Sequence, residues 1–82
     1  MSKSYLPAVV RAKYVNGYIL DITFDDGTQK LVDISTWFIG PVFEPLRDES
    51  YFKRYLIEGA TLAWPNGVDI APESLYDAKD IR

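Results

Sequence analysis

The chain contains no cysteine and no histidine. Without cysteine there is neither a disulfide nor a thiol nucleophile, and with histidine gone as well the usual zinc ligand sets are missing. The commonest general base is absent too, so a serine hydrolase arrangement has nothing to complete it. Glycine is sparse: the five glycines, at 17, 27, 40, 59 and 67, are isolated, which leaves no glycine-rich phosphate loop. No apolar run approaches the roughly 18 to 20 residues that cross a bilayer. The start, MSKSYLPAVV, lacks the apolar stretch and cleavage site of a signal peptide. These absences give the expectation of a soluble, cytoplasmic chain that uses no metal and no cofactor, has no catalytic residue and is not an enzyme.

Basic residues are also few and scattered. Nine Lys and Arg stand against twelve Asp and Glu, for a net charge of -3, and only Lys53 and Arg54 are adjacent. A nucleic-acid binder normally shows a basic stripe that displaces counterions from phosphates. None is present here, so direct nucleic-acid binding is disfavoured and remains only for a dimer whose edges combine. The acidic pair Asp25 and Asp26 lies where a turn favours Asp locally, and no EF-hand spacing follows it. Asp69 and Glu73 are of the right type for acid–base work. A domain this small, however, rarely forms the concave pocket of roughly 300 Å3 or more that catalysis uses.

What is present is aromatic and apolar. At 82 residues the chain is expected to form one domain, 1–82, and a domain of this size buries only about 60% of its unfolded surface. The two Trp, six Tyr and four Phe therefore have a structural duty first, since each buries roughly 150 to 250 Å2.

Three similar turns punctuate the chain: Val15, Asn16, Gly17; Asp25, Asp26, Gly27; and Pro65, Asn66, Gly67. Each lies between alternating apolar runs, a hairpin signal. A three-residue loop at the first turn pairs Tyr14 with Tyr18, Ala12 with Leu20, Val10 with Ile22 and Ala8 with Phe24. It sets Arg11 opposite Asp21 and Lys13 opposite Ile19. The same rule at the second pairs Phe24 with Thr28, Leu20 with Val32 and Tyr18 with Ile34. Lys30 is then the one polar residue on that face, either snorkelling outward or guarding an edge. At the third it pairs Trp64 with Val68 and Leu62 with Ile70, which turns Trp64 inward. Asp69 then lies on the opposite face.

The expected fold class is thus α+β: a three-stranded antiparallel meander over about residues 8–34, a C-terminal hairpin over about 61–70, and two or three short helices. Ser35 is expected to cap a short turn over 35–40 that stops at Gly40 and Pro41. Phe43 and Leu46 are spaced to anchor the loop that follows. Asp48 is the expected cap of a helix entering ESYFKRYLIEG. Two readings compete beyond it: either the helix continues, or residues 55–57 form a strand that turns at Glu58 and Gly59. The strand is favoured. Pro72 starts a last helical turn that folds Leu75 and Tyr76 onto the sheet.

The segments FDDGT, GPVFEPLRD and WPNGVDIAPESLY, in that order, resemble a family of small bacterial proteins known as domain of unknown function 2442. The likeness runs over about residues 8–77. It includes the pattern WPNG-x-D-[IL]-x-P-x-x-LY, filled here by Trp64, Pro65, Asn66, Gly67, Asp69, Ile70, Pro72, Leu75 and Tyr76. The resemblance implies a short helix and then a strand after the LRD. It also implies a genomic neighbour, a small protein of the domain of unknown function 4160 family, in an arrangement like a toxin–antitoxin pair. Some relatives are fused to a helix-turn-helix domain; none is expected in this chain. Others are linked to molybdopterin-guanine dinucleotide biosynthesis, which fits poorly with a chain lacking a phosphate loop.

The leading functional expectation is a protein-binding module, the antitoxin-like member of such a pair, holding a basic partner through an acidic surface. A homodimer is compatible with it. The second is a small-molecule or regulatory binding domain with a pocket framed by Trp64, Asp69 and Tyr76. Trp64, Pro65, Asn66 and Gly67 are read as structural. Asp69, Pro72, Glu73 and Tyr76 are the candidate partner-binding residues, with Asp69 either capping the last helical turn or facing the partner.

Overall fold

The computed structural model describes residues 6–82. Two three-stranded antiparallel sheets and several short helices make an α+β fold. Strands β1 (Val9–Asn16), β2 (Ile19–Phe24) and β3 (Gln29–Asp33) form the meander. Strands β4 (Leu56–Glu58), β5 (Thr61–Ala63) and β6 (Asp69–Ile70) form the second sheet. Strand β2 shows why the chain folds this way: Leu20, Ile22 and Phe24 are buried while the alternate residues are half-buried, the period of a strand with one face on a core.

The second and third turns have the expected register. Phe24 N–H donates to Thr28 O at 2.8 Å, and Leu20 faces Val32. Trp64 N–H donates to Val68 O at 2.9 Å, and Leu62 faces Ile70. The first differs by two residues: Tyr14 faces Leu20, Ala12 faces Ile22, Lys13 faces Asp21 and Arg11 faces Thr23. An irregularity between Tyr14 and Asn16 extends β1 to Asn16, so Gly17 and Tyr18 alone make the turn. A shift of two keeps every side chain on its face, which is why alternation does not detect it. Tyr18 is released to pack edge-on against Phe38 and Phe52, at 5.0 and 5.2 Å. A second irregularity between Val9 and Arg11 reverses the expected facing: Val9 is buried and Val10 is 56% exposed. Val9 N–H donates to Ala60 O at 2.9 Å, tying β1 to the second sheet.

The segment after α1 is a strand, one residue later than the expected 55–57. It turns at Gly59 and Ala60, both at positive φ. Asp33, not Ser35, caps the short 3-10 turn Ile34–Trp37. Its carboxylate accepts from the Ser35 N–H at 3.0 Å and from the Ser35 hydroxyl at 2.6 Å. Where a loop was expected, Pro41–Arg47 forms a second 3-10 turn, begun by a proline whose φ is already set and anchored by buried Leu46. Asp48 caps α1 (Glu49–Phe52), accepting from Ser50 N–H at 3.0 Å. Helix α2 (Pro72–Asp77) follows β6.

Phe52 is the hub of the core. It is fully buried, and its ring meets those of Tyr14, Tyr18, Phe38 and Trp64 at centroid distances of 5.2 to 6.3 Å. Lys30, on the edge strand β3, does not snorkel into water. Its ammonium donates to the carbonyls of Tyr76 and Ala78, the latter at 2.8 Å, satisfying acceptors at the end of α2.

Candidate functional site

The WPNGVDIAPESLY segment divides into residues that build the fold and residues that do not. Trp64 is 2% exposed; its indole N–H donates to Phe52 O at 2.9 Å, and its ring lies 5.8 Å from that of Phe52. Pro65 occupies the first turn position, where its fixed φ fits. The Asn66 side-chain oxygen accepts from Val68 N–H at 3.1 Å, and Gly67 adopts φ +89°, a region that glycine enters without steric cost.

Pro72 is the first residue of α2, and Leu75 is buried. Tyr76 fastens α2 to the β2–β3 turn. Its hydroxyl donates to Asp26 at 2.7 Å and lies 3.4 Å from the Thr28 hydroxyl. Its ring meets Phe24 edge-on at 5.0 Å, with the Lys30 ammonium 5.5 Å from the ring centre. The Tyr76 hydroxyl, followed by the Thr28 N–H, holds the Asp26 carboxyl below its ordinary range. FDDGT and the LY of the last segment are thus two halves of one clamp.

The two acidic residues of the segment have no such duty. Asp69 and Glu73 are exposed, and neither side chain has a hydrogen bond or ion pair among the described residues. Asp69 pairs with Ala63, so it faces away from Trp64. It does not cap α2, whose N-cap is Ala71 with no side-chain hydrogen bond. Trp64, Asp69 and Tyr76 therefore point to three different surroundings: the core, solvent and the Asp26 clamp.

A cavity of about 350 Å3 opens elsewhere, between β3, the Ile34–Trp37 turn and the last residues, lined by Val32, Asp33, Trp37, Lys79 and Ile81 among others. Here residues 79–82 run along β3. Leu31 N–H donates to the Asp80 carboxylate at 3.1 Å, and Ile81 N–H donates to Leu31 O at 2.9 Å. Arg82 lies 3.6 Å from Asp21 and 3.5 Å from Asp80. The Leu31 N–H, then that of Arg82, lowers the Asp80 pKa. Sequence reasoning missed this place. Its parts come from residues 32–37 and 78–81, more than forty positions apart, and no local pattern in the sequence joins them.

Among the described residues no group of three or more acidic side chains could hold a metal ion. The carboxyls that shift, Asp26 and Asp80, move down, and Tyr14 is pushed up by burial and then by Glu49. None of these moves toward neutral pH, where a general acid or base works. No helix of the described residues is long and apolar enough to cross a membrane.

No curated protein and no solved structure matches the chain. Residues 9–80 match the family described as Protein of unknown function (DUF2442), which covers the meander, both clamp partners and α2. The chain belongs to that family.

Proposed function

We propose that the chain is a non-enzymatic, cytoplasmic protein-binding module, the antitoxin-like member of a toxin–antitoxin-type pair, which holds a basic protein partner. The observation that carries this reading is the pair Asp69 and Glu73. The side chains of Trp64, Asn66 and Tyr76 are occupied by the core, a turn and the Asp26 clamp, while these two carboxylates, the charged groups of the segment, face water unpaired. Charges in that position steer and orient a partner more than they stabilise a fold. Purification of a tagged full chain from its native host tests the reading. A stoichiometric basic protein is expected at about 0.15 M salt, with weakening as salt screens the contact. Recovery of the chain alone at every salt concentration contradicts it.

One observation favours a second reading, a small-molecule site: the cavity beside Trp37 is within the usual size range for ligand pockets. Quenching or a spectral shift of Trp37 fluorescence by a compound that also raises Tm would support it, and a screen that moves neither would remove it.

A further inference from the structure

An antiparallel strand turns the N–H and C=O of alternate residues away from its neighbour. On β3 the even-numbered residues face β2, as Ile34 N–H donating to Tyr18 O shows. Leu31 therefore presents both backbone groups to the outside. Neither is in water: Asp80 accepts from the N–H and Ile81 N–H donates to the C=O. Residues 79–82 thus supply one acceptor and one donor, the complement that an added strand would supply. Beside them Ile81, 42% exposed, lines the cavity with Val32 and Trp37, and Arg82 rests against Asp21. The remaining grip is slight, because the Arg82 side chain is 47% exposed and ion pairs at such exposure contribute little.

We propose that the outer edge of β3 is a strand-addition site for an extended segment of the protein partner, and that residues 79–82 are a strap covering it until that segment takes their place. The inference deepens the protein-binding reading and rests on it. The strap itself specifies the chemistry of its replacement. An apolar side chain at the Ile81 position covers the cavity beside Trp37, and a basic one follows to meet Asp21, with Asp33 lining the same cavity. Main-chain bonds give the affinity of such a site, and its alternate pockets give the selectivity.

The test uses the full 15N-labelled chain in three forms: wild type, Arg82→Ala and Asp80→Ala. The probe is the blocked peptide Ala-Lys-Asp-Ile-Arg, with Ala-Lys-Asp-Ile-Glu as its charge-reversed control. Both variants are expected to speed amide exchange at Leu31 while the rest of β3 keeps its protection. The basic peptide is expected to shift the resonances of Leu31, Val32, Asp33 and Trp37, with a Kd about tenfold lower in Asp80→Ala and roughly two- to fourfold lower in Arg82→Ala than in wild type. The control peptide is expected to bind at least several-fold more weakly than the basic one. Equal affinity in all three forms, or shifts confined to Asp69 and Glu73, overturns the strap. Should Asp80→Ala unfold, Arg82→Ala decides alone, since it leaves both Leu31 bonds in place. A copurified partner that binds wild type and variants equally, without shifts at residues 31–37, rejects the strap and leaves the protein-binding reading standing. Failure to recover any partner bears on that reading alone.

Discussion

Replacing Trp64 with Phe separates a fold-making tryptophan from a displayed one. The indole is 2% exposed and donates to Phe52 O. The substitution therefore removes buried ring atoms equivalent to about two methylenes, at about 0.8 kcal/mol each. It also strands the Phe52 carbonyl, which costs roughly a further 1 kcal/mol. The expected loss is about 2 to 4 kcal/mol once the residual cavity is included. An 82-residue chain has a total stability on the order of 4 to 12 kcal/mol, so the variant keeps its fold with little margin. At roughly 4 to 8 °C per kcal/mol for a chain of this size, Tm should fall by about 8 to 32 °C. Urea unfolding followed by far-UV circular dichroism measures the effect, with an unchanged slope showing that the two end states are preserved. A loss below about 0.5 kcal/mol, the usual scale of surface substitutions, would place the ring outside the core and refute the reasoning.

Other consequences follow from the same geometry. Phe52→Ala empties the hub of the aromatic cluster and should cost about 3 to 5 kcal/mol, seen as a fall in Tm larger than that of Trp64→Phe. Gly67→Ala meets no atom within 4 Å but must adopt φ +89°, so a loss of about 1 to 2 kcal/mol is expected in urea unfolding, with no change in the packing seen by near-UV dichroism. The Asp26 and Asp80 carboxyls are both held below their ordinary range. Groups depressed in this way contribute stability above the unfolded value of about 3.9 and lose it as pH falls through the folded pKa. Tm should therefore vary little between about pH 6 and 8 and fall in acid; Asp26→Asn should flatten that fall, and an equally steep profile in the variant would contradict the Tyr76 clamp.

The features legible in the sequence were those fixed by local chemistry. Asp-Asp-Gly and Pro-Asn-Gly each place glycine at the position needing positive φ, and Gly27 and Gly67 lie at +90° and +89°. Loop length and register follow from that, and with them the inward facing of Trp64. Asp48 and Pro72 likewise stand at their helix starts. What was not legible depends on tertiary contacts. Tyr18 satisfies either register of the first hairpin by parity, and its packing on Phe38 and Phe52 distinguishes them. Val9 and Val10 are chemically identical neighbours, and only the bond to Ala60 shows which one turns inward. Asp33 and Ser35 are both good caps; the strand ends at Asp33, which gives the role to the earlier residue. Tyr76 is expected both to fold back on the sheet and, as a neighbour of Asp69, to face a partner; its hydroxyl donates to Asp26, fifty positions away, a contact that no local pattern marks. The strap joins Asp80, Ile81 and Arg82 to Leu31 and Asp21, a contact with no periodic trace in the chain.

The proposed function divides one segment residue by residue, with Trp64, Asn66 and Tyr76 serving the fold and Asp69 and Glu73 serving the partner. The most direct measurement is made on Asp69→Lys/Glu73→Lys, comparing urea stability with calorimetric affinity for the copurified partner. The account predicts stability within about 0.5 kcal/mol of wild type and an affinity lower by about tenfold or more. Unchanged affinity in a stably folded double variant would contradict it.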